Sequence, residues 1–157
     1  MLSPSAQRVQ EALEVRGFAH LRVQELPTST RTAPEAAMAV GCAVGQIVKS
    51  LVFRGAQSGK PYLLLVSGAH RVDLKRVEES VGEPLEKPDA EYVRRVTGFA
   101  IGGVPPLGHA QPLEALVDPH LLDYPCLYAA GGTPTALFAL SPAELLALSG
   151  GRVVPLC

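Results

Sequence analysis

Residues 45–53 read Gly45-Gln46-Ile47-Val48-Lys49-Ser50-Leu51-Val52-Phe53. Gln46 to Arg54 is rich in β-branched and apolar side chains, as is Pro61 to Ser67, and the turn-forming stretch Gly55 to Lys60 separates them. The two runs predict a β-hairpin. Alternation puts Lys49 on the same strand face as Ile47, Leu51 and Phe53, so a cation projects from an apolar surface. An unpaired buried ammonium costs several kcal/mol. Lys49 must therefore reach solvent, meet a carboxylate, or point into a pocket that receives an anion or a polarised carbonyl. The local pattern admits both a snorkelling edge lysine and a functional one.

Outward from the hairpin, punctuation residues mark the other elements. Upstream, Ser3 and Pro4 open a helix that Gly17 closes, and Phe18 to Gln24 alternates as a half-buried strand should. Thr32 and Glu35 have capping-box spacing before a short helix that ends at Gly41. Downstream, Val72 to Val81 and Asp89 to Thr97 read as helices terminated by Gly82 and Gly98, and Phe99 to Ile101 as a short strand. Leu113 to Val117, Cys126 to Ala130 and Ala136 to Leu140 are strand candidates. Ser141 and Glu144 make a second capping box before a last helix, and Arg152 to Leu156 reads as a tail strand. Interspersed helices and hairpins, without repeat or long linker, predict one α/β or α+β domain with a mixed, mostly antiparallel sheet.

Composition limits what the domain can be. With 14 Lys and Arg against 15 Asp and Glu, the chain lacks the field of a general nucleic-acid coater, so any polynucleotide contact must be local. Cys42, Cys126 and Cys157 are dispersed, and His20, His70, His109 and His120 show no metal-ligand spacing. Neither a disulfide framework nor a metal is expected, and a reducing cytoplasm fits. No apolar run approaches the length of a spanning helix, so no membrane partner is expected.

The second constellation is Gly98 to His109, where Gly102, Gly103, Pro105 and Pro106 crowd a short loop. Glycines let a ligand approach backbone, and prolines hold the loop in place. Such a loop can aim N–H groups at a developing oxyanion, or it can be a plain rigid turn. It lacks the spacing of a dinucleotide fingerprint or a P-loop, and no Gly-x-Ser-x-Gly elbow occurs. His109, at the end of the loop, could donate a hydrogen bond or position water.

Taken in order, these residues resemble the YbaK and prolyl-tRNA-synthetase-associated editing domain family. The resemblance rests on Thr32 with Glu35-Ala36-Ala37, the lysine-centred run Gly45 to Phe53, the Gly-x-x-x-Pro loop from Gly102 to Pro106, and Ala130-Gly131-Gly132. It implies a barrel-like sheet surrounded by helices and hydrolysis of the ester joining a wrong amino acid to transfer RNA, with no cofactor. Carried onto this chain, it implies that Lys49 binds and polarises the aminoacyl end, with Gly102 and Gly103 as catalytic loop residues. Thr32, Ser50, Val104, Pro105, Pro106, His109 and Gly131 would complete the substrate pocket. The implied partners are the acceptor end of a mischarged tRNA and a synthetase. Cysteinyl-tRNA-directed relatives look like Ser-Gly-Gly, a basic pair and an Asp where this chain has Ala130 to Leu137, and commonly show serine where Pro105 stands. The expected substrate is therefore a proline tRNA carrying cysteine, alanine or another small amino acid, and the alternative is a catalytically silent aminoacyl- or nucleotide-binding module that docks on a synthetase.

Overall fold

The computed structural model describes residues 1–157. Helix α1 (Pro4–Val15) leads through an irregular segment to β1 (Gln24–Glu25) and α2 (Ala33–Val40). A 3-10 turn (Val44–Gln46) enters the hairpin β2 (Val48–Gly55) and β3 (Pro61–Ser67). Then come α3 (Leu74–Val81), β4 (Leu85–Glu86), α4 (Ala90–Thr97) and β5 (Glu114–Val117). A 3-10 turn (Pro119–Asp123), β6 (Leu127–Ala130), β7 (Ala136–Leu140), α5 (Pro142–Ser149) and β8 (Arg152–Val153) complete the chain.

The hairpin is the centre of a five-stranded sheet ordered β4-β2-β3-β5-β8, and β1-β7-β6 form a second, antiparallel sheet. Strands β2 and β3 pair antiparallel from Val48↔Ser67 to Arg54↔Pro61, while β3-β5 and β5-β8 run parallel. The mixed α/β architecture is the expected one. The barrel is not: the sheets stay separate and meet at one bridge, Ile47↔Tyr128.

Burial of β3 on both faces explains its nearly unbroken apolar run from Tyr62 to Val66. Leu63 and Leu65 face the main core with α1, α4 and α5, and Leu64 and Val66 face a smaller core with Val77, Leu116 and Leu156. Helix ends follow local chemistry. Gly41, Gly82, Gly98 and Gly150 close four helices in the left-handed region, where a side chain would be strained. The Ser141–Glu144 capping box is reciprocal. At α2 the Thr32 hydroxyl accepts from the Glu35 N–H but donates to the Glu35 carboxylate, so only half of the expected box forms.

Two predicted strands are not strands. Leu21 and Val23 are buried as alternation requires, but the Gln10 side chain holds the segment, accepting from the Val23 N–H at 2.8 Å and donating to the Leu21 carbonyl at 3.1 Å. A buried glutamine thus replaces a strand partner, and pairing begins only at Gln24. The Phe99 to Ile101 segment is a turn, its first N–H taken by the Thr97 hydroxyl at 3.0 Å. No helix is long and apolar enough to cross a membrane.

Candidate functional site

The pleat of β2 separates its two faces. Lys49, Leu51 and Phe53 share one side, where Leu51 and Phe53 pack on the smaller core, while Val48 and Val52 enter the main core. Ile47 lies just before the strand and packs instead with Ala33, Ala36 and Ala37 of α2. Lys49 is half-buried, and its ammonium donates to the backbone carbonyl of His70. Burial lowers its pKa from the ordinary lysine range; Cys157 opposes that shift, Arg71 adds to it and Asp118 opposes it.

A cavity of about 410 Å³ opens beside this strand. Its walls are residues 30–34 at the start of α2, 47–51 of the strand, Gly68, Ile101, Gly102 and Val104 of the glycine and proline loop, and Ala130 and Leu137. The cavity therefore brings together Thr32, Lys49, Ser50, Gly102 and Val104. The Ser50 hydroxyl is buried and has no hydrogen-bond partner. Native proteins rarely leave such a group unsatisfied, and here it sits in a cavity wall.

The loop opposite is fixed by two close approaches. Gly102 has φ +90°, and a β-carbon there would come within 2.7 Å of the Arg31 side chain. A β-carbon on Gly103 would come within 2.8 Å of the Thr133 backbone. The Gly103 N–H is committed to the Ala100 carbonyl at 3.0 Å. The N–H groups of Gly102 and Val104 have no acceptor in the protein, and both residues line the cavity. An apolar recess of about 100 Å³ adjoins it through Ser50, Leu51, Ile101 and Val104, with Phe53 and Val93 among its walls.

The remaining predicted site residues lie elsewhere. Pro105 and Pro106 are buried behind the loop, and Pro106 and His109 border a separate depression beside Arg16 and Leu148. The His109 ring donates to the Pro105 carbonyl at 2.6 Å, and burial lowers the pKa of the ring against the raising effect of that bond. Gly131 packs against Val23, and its neighbour Ala130 lines the cavity. Sequence reasoning passed over Arg31, whose place among small polar residues carries no spacing signal. It also passed over Thr30, which binds the Pro134 carbonyl through its N–H at 2.7 Å and its hydroxyl at 3.0 Å.

Residues 28–148, which hold the lysine strand, the facing loop and the Ala130 wall, match the family model of the aminoacyl-tRNA editing domain. The chain belongs to this family. Among its relatives is the uncharacterised protein YwhH of Bacillus subtilis (strain 168), 31% identical over 131 residues that cover 83% of each chain. A crystal structure of a candidate trans-editing enzyme for prolyl tRNA synthetase is 62% identical, covers 99% of this chain and 98% of its own, and superposes with a TM-score of 0.94. A scaffold protein solved in work on epitope backbone grafting is 57% identical, with coverage of 99% and 97% and a TM-score of 0.93. The editing-domain fold thus places its lysine strand, its glycine loop and its α2 entrance around one cavity in this chain.

Proposed function

We propose that this editing domain is a trans-acting deacylase that hydrolyses the ester between a small amino acid and transfer RNA, with a mischarged proline tRNA as substrate. The observation that carries the reading is that Lys49, Ser50, Gly102 and Val104 line one cavity, with the Ser50 hydroxyl and the Gly102 and Val104 N–H groups left without a partner in the protein. The relation to a candidate trans-editing enzyme for prolyl tRNA synthetase supports it and makes that synthetase the partner to test.

The chemistry asks little of the protein beyond placement. An aminoacyl ester is already activated, so positioning, carbonyl polarisation and a directed water suffice. Lys49 binds the aminoacyl end and polarises its carbonyl. The Gly102 and Val104 N–H groups receive the oxyanion, while Gly103 holds the loop against Thr133. Water attacks the carbonyl carbon, the ester C–O bond breaks, and the ribose oxygen leaves with a proton; the neighbouring ribose hydroxyl orients the water. Ser50 gives its hydroxyl to the substrate, and Thr32 and Arg31 flank the entrance where the terminal nucleotide lies. The adjoining recess of about 100 Å³ receives the amino-acid side chain, and its apolar walls suit an uncharged one. Discrimination between side chains as similar as those of alanine and cysteine is worth only about 1 to 3 kcal/mol, so the enzyme accepts more than one. A near-neutral surface suits a protein that grips mainly the single-stranded acceptor end.

The test is release of amino acid from Ala-, Cys- and Ser-charged proline tRNA by the wild type and by Lys49→Ala. Hydrolysis of at least one substrate, lost in the variant while the fold persists, is the expected result. Absence of hydrolysis above the spontaneous rate with every substrate leaves an aminoacyl-binding module in place of an enzyme.

A further inference from the structure

Next to Lys49, three reactive side chains from distant parts of the chain meet. Asp118 directly follows β5, with its side chain 1% exposed. Its Oδ2 lies 3.3 Å from His70 Nδ1 and 3.7 Å from Cys157 Sγ. The donor atoms of His70, Asp118 and Cys157 all lie within 4.8 Å of one another. His120 stands alongside, with Nδ1 2.9 Å from Asp118 Oδ1 and its ring centroid 4.1 Å from that of His70.

We propose that His70, Asp118 and Cys157 bind one thiophilic divalent cation of the zinc class. Tetrahedral zinc with bonds of about 2.0 to 2.3 Å separates its ligand atoms by about 3.3 to 3.8 Å. The His70–Asp118 and Asp118–Cys157 separations fall in that range, and 3.3 Å is long for a strong N–H···O bond. One nitrogen, one oxygen and one sulfur suit zinc or cobalt, and magnesium and calcium prefer oxygen alone. Three protein ligands leave a fourth position for water or for His120.

The support around these ligands is already built. Asp118 Oδ2 accepts from the Ser67 N–H at 3.1 Å, and Oδ1 accepts from the His120 N–H at 3.0 Å, which fixes the carboxylate plane. His70 follows Ser67 in a turn closed by its own N–H to the Ser67 carbonyl at 3.0 Å. The partly exposed His70 ring gives the ion a path from solvent. On loading, a metal–sulfur bond forms and the thiol proton goes to solvent, with no change of oxidation state. The carboxylate and the resulting thiolate balance the ion's two charges beside the Lys49 ammonium. The ligands come from the turn after β3, the residue after β5 and the segment after β8, so rules based on short ligand spacing do not detect them.

The test uses the full chain, stripped with a chelator and titrated with Co²⁺ alone. The expected result is one equivalent bound, with a sulfur-to-cobalt charge-transfer band that Zn²⁺ abolishes by displacement. Cys42→Ser with Cys126→Ser keeps the band, Cys157→Ser loses it, and His70→Gln weakens binding at least about tenfold. A wild type without the band, a Cys157→Ser variant that retains it, or loss in the Cys42/Cys126 variant overturns the proposal. If a variant fails to fold, alkylation of the wild type decides: Zn²⁺ should protect Cys157 and leave Cys42 and Cys126 reactive, and equal labelling of Cys157 with and without Zn²⁺ refutes the site.

Discussion

The Lys49 ammonium donates to the carbonyl of His70, which lies 21 residues further along the chain. The turn holding that carbonyl is tied to Asp118 through the N–H of Ser67 and the ring of His70. The cation is therefore oriented by a backbone acceptor rather than neutralised by a carboxylate, and two of its N–H bonds stay available. Lys49→Arg keeps the charge but replaces a compact ammonium with a longer, planar guanidinium, which moves the donor away from its present position. Its kcat/KM on a mischarged tRNA should fall about 100-fold or more, the scale for loss of one transition-state donor, with a thermal midpoint near wild type.

Ser50→Ala should move stability and activity in opposite directions. Its buried hydroxyl lacks a partner, so its removal relieves a desolvation cost and should leave the fold unchanged or more stable by up to about 1 kcal/mol. Turnover should drop because the substrate loses a hydrogen bond. Urea titration and kinetics on the same preparation check both, and a destabilised, fully active variant contradicts the assignment.

Gly102→Ala should be worse than its size suggests. A left-handed backbone costs a non-glycine residue about 1 to 2 kcal/mol, and the new methyl also meets Arg31 at 2.7 Å. Adding Arg31→Ala should recover the steric part and leave the backbone part. Thermal midpoints of the two single variants and the double variant separate these contributions.

Glu83 gives an acid-side prediction. The Ser58 hydroxyl and N–H, the Tyr62 hydroxyl and the Gln57 N–H hold its pKa at about 2 against an ordinary 4.5. A depressed carboxylate stabilises the fold above its unfolded pKa, and that stabilisation is lost as pH falls from about 4.5 toward 2. Glu83→Gln should flatten the pH dependence of the thermal midpoint in that window. Burial and Glu83 push the Tyr62 phenol up to about 12, so its contribution is present below about 10 and lost as pH rises through about 12.

His109 is tied to the loop through the Pro105 carbonyl. Its pKa is lowered, so it stabilises the folded state above the unfolded value of about 6.5 and loses that contribution as pH falls through the folded value. His109→Gln should reduce acid sensitivity below pH about 6.5 while keeping substrate affinity, since the ring does not line the cavity. Equilibrium unfolding at several pH values and substrate binding measure the two effects.

The hairpin, Ala136 to Leu140 and the glycine helix ends were legible because each is written within a few neighbouring residues. Lys49 was legible for the same reason, as a charge breaking an apolar alternation. What escaped depended on distant partners. Leu21 and Val23 alternate like a strand, yet Gln10 supplies their hydrogen bonds from another element. Gly102 and Gly103 look alike in sequence, but only packing against Arg31 and Thr133 gives them different tasks. His70, Asp118 and Cys157 approach one another only through β3, β5 and β8.

The cavity walls come from residues 30–34 and 47–51, Gly68, Ile101, Gly102, Val104, Ala130 and Leu137, so its opposing sides are drawn from segments far apart in the chain. Ligand capture is therefore a property of the assembled chain, present only when loops far apart in sequence have closed on one another. Binding activity therefore doubles as an assay for complete assembly of the fold.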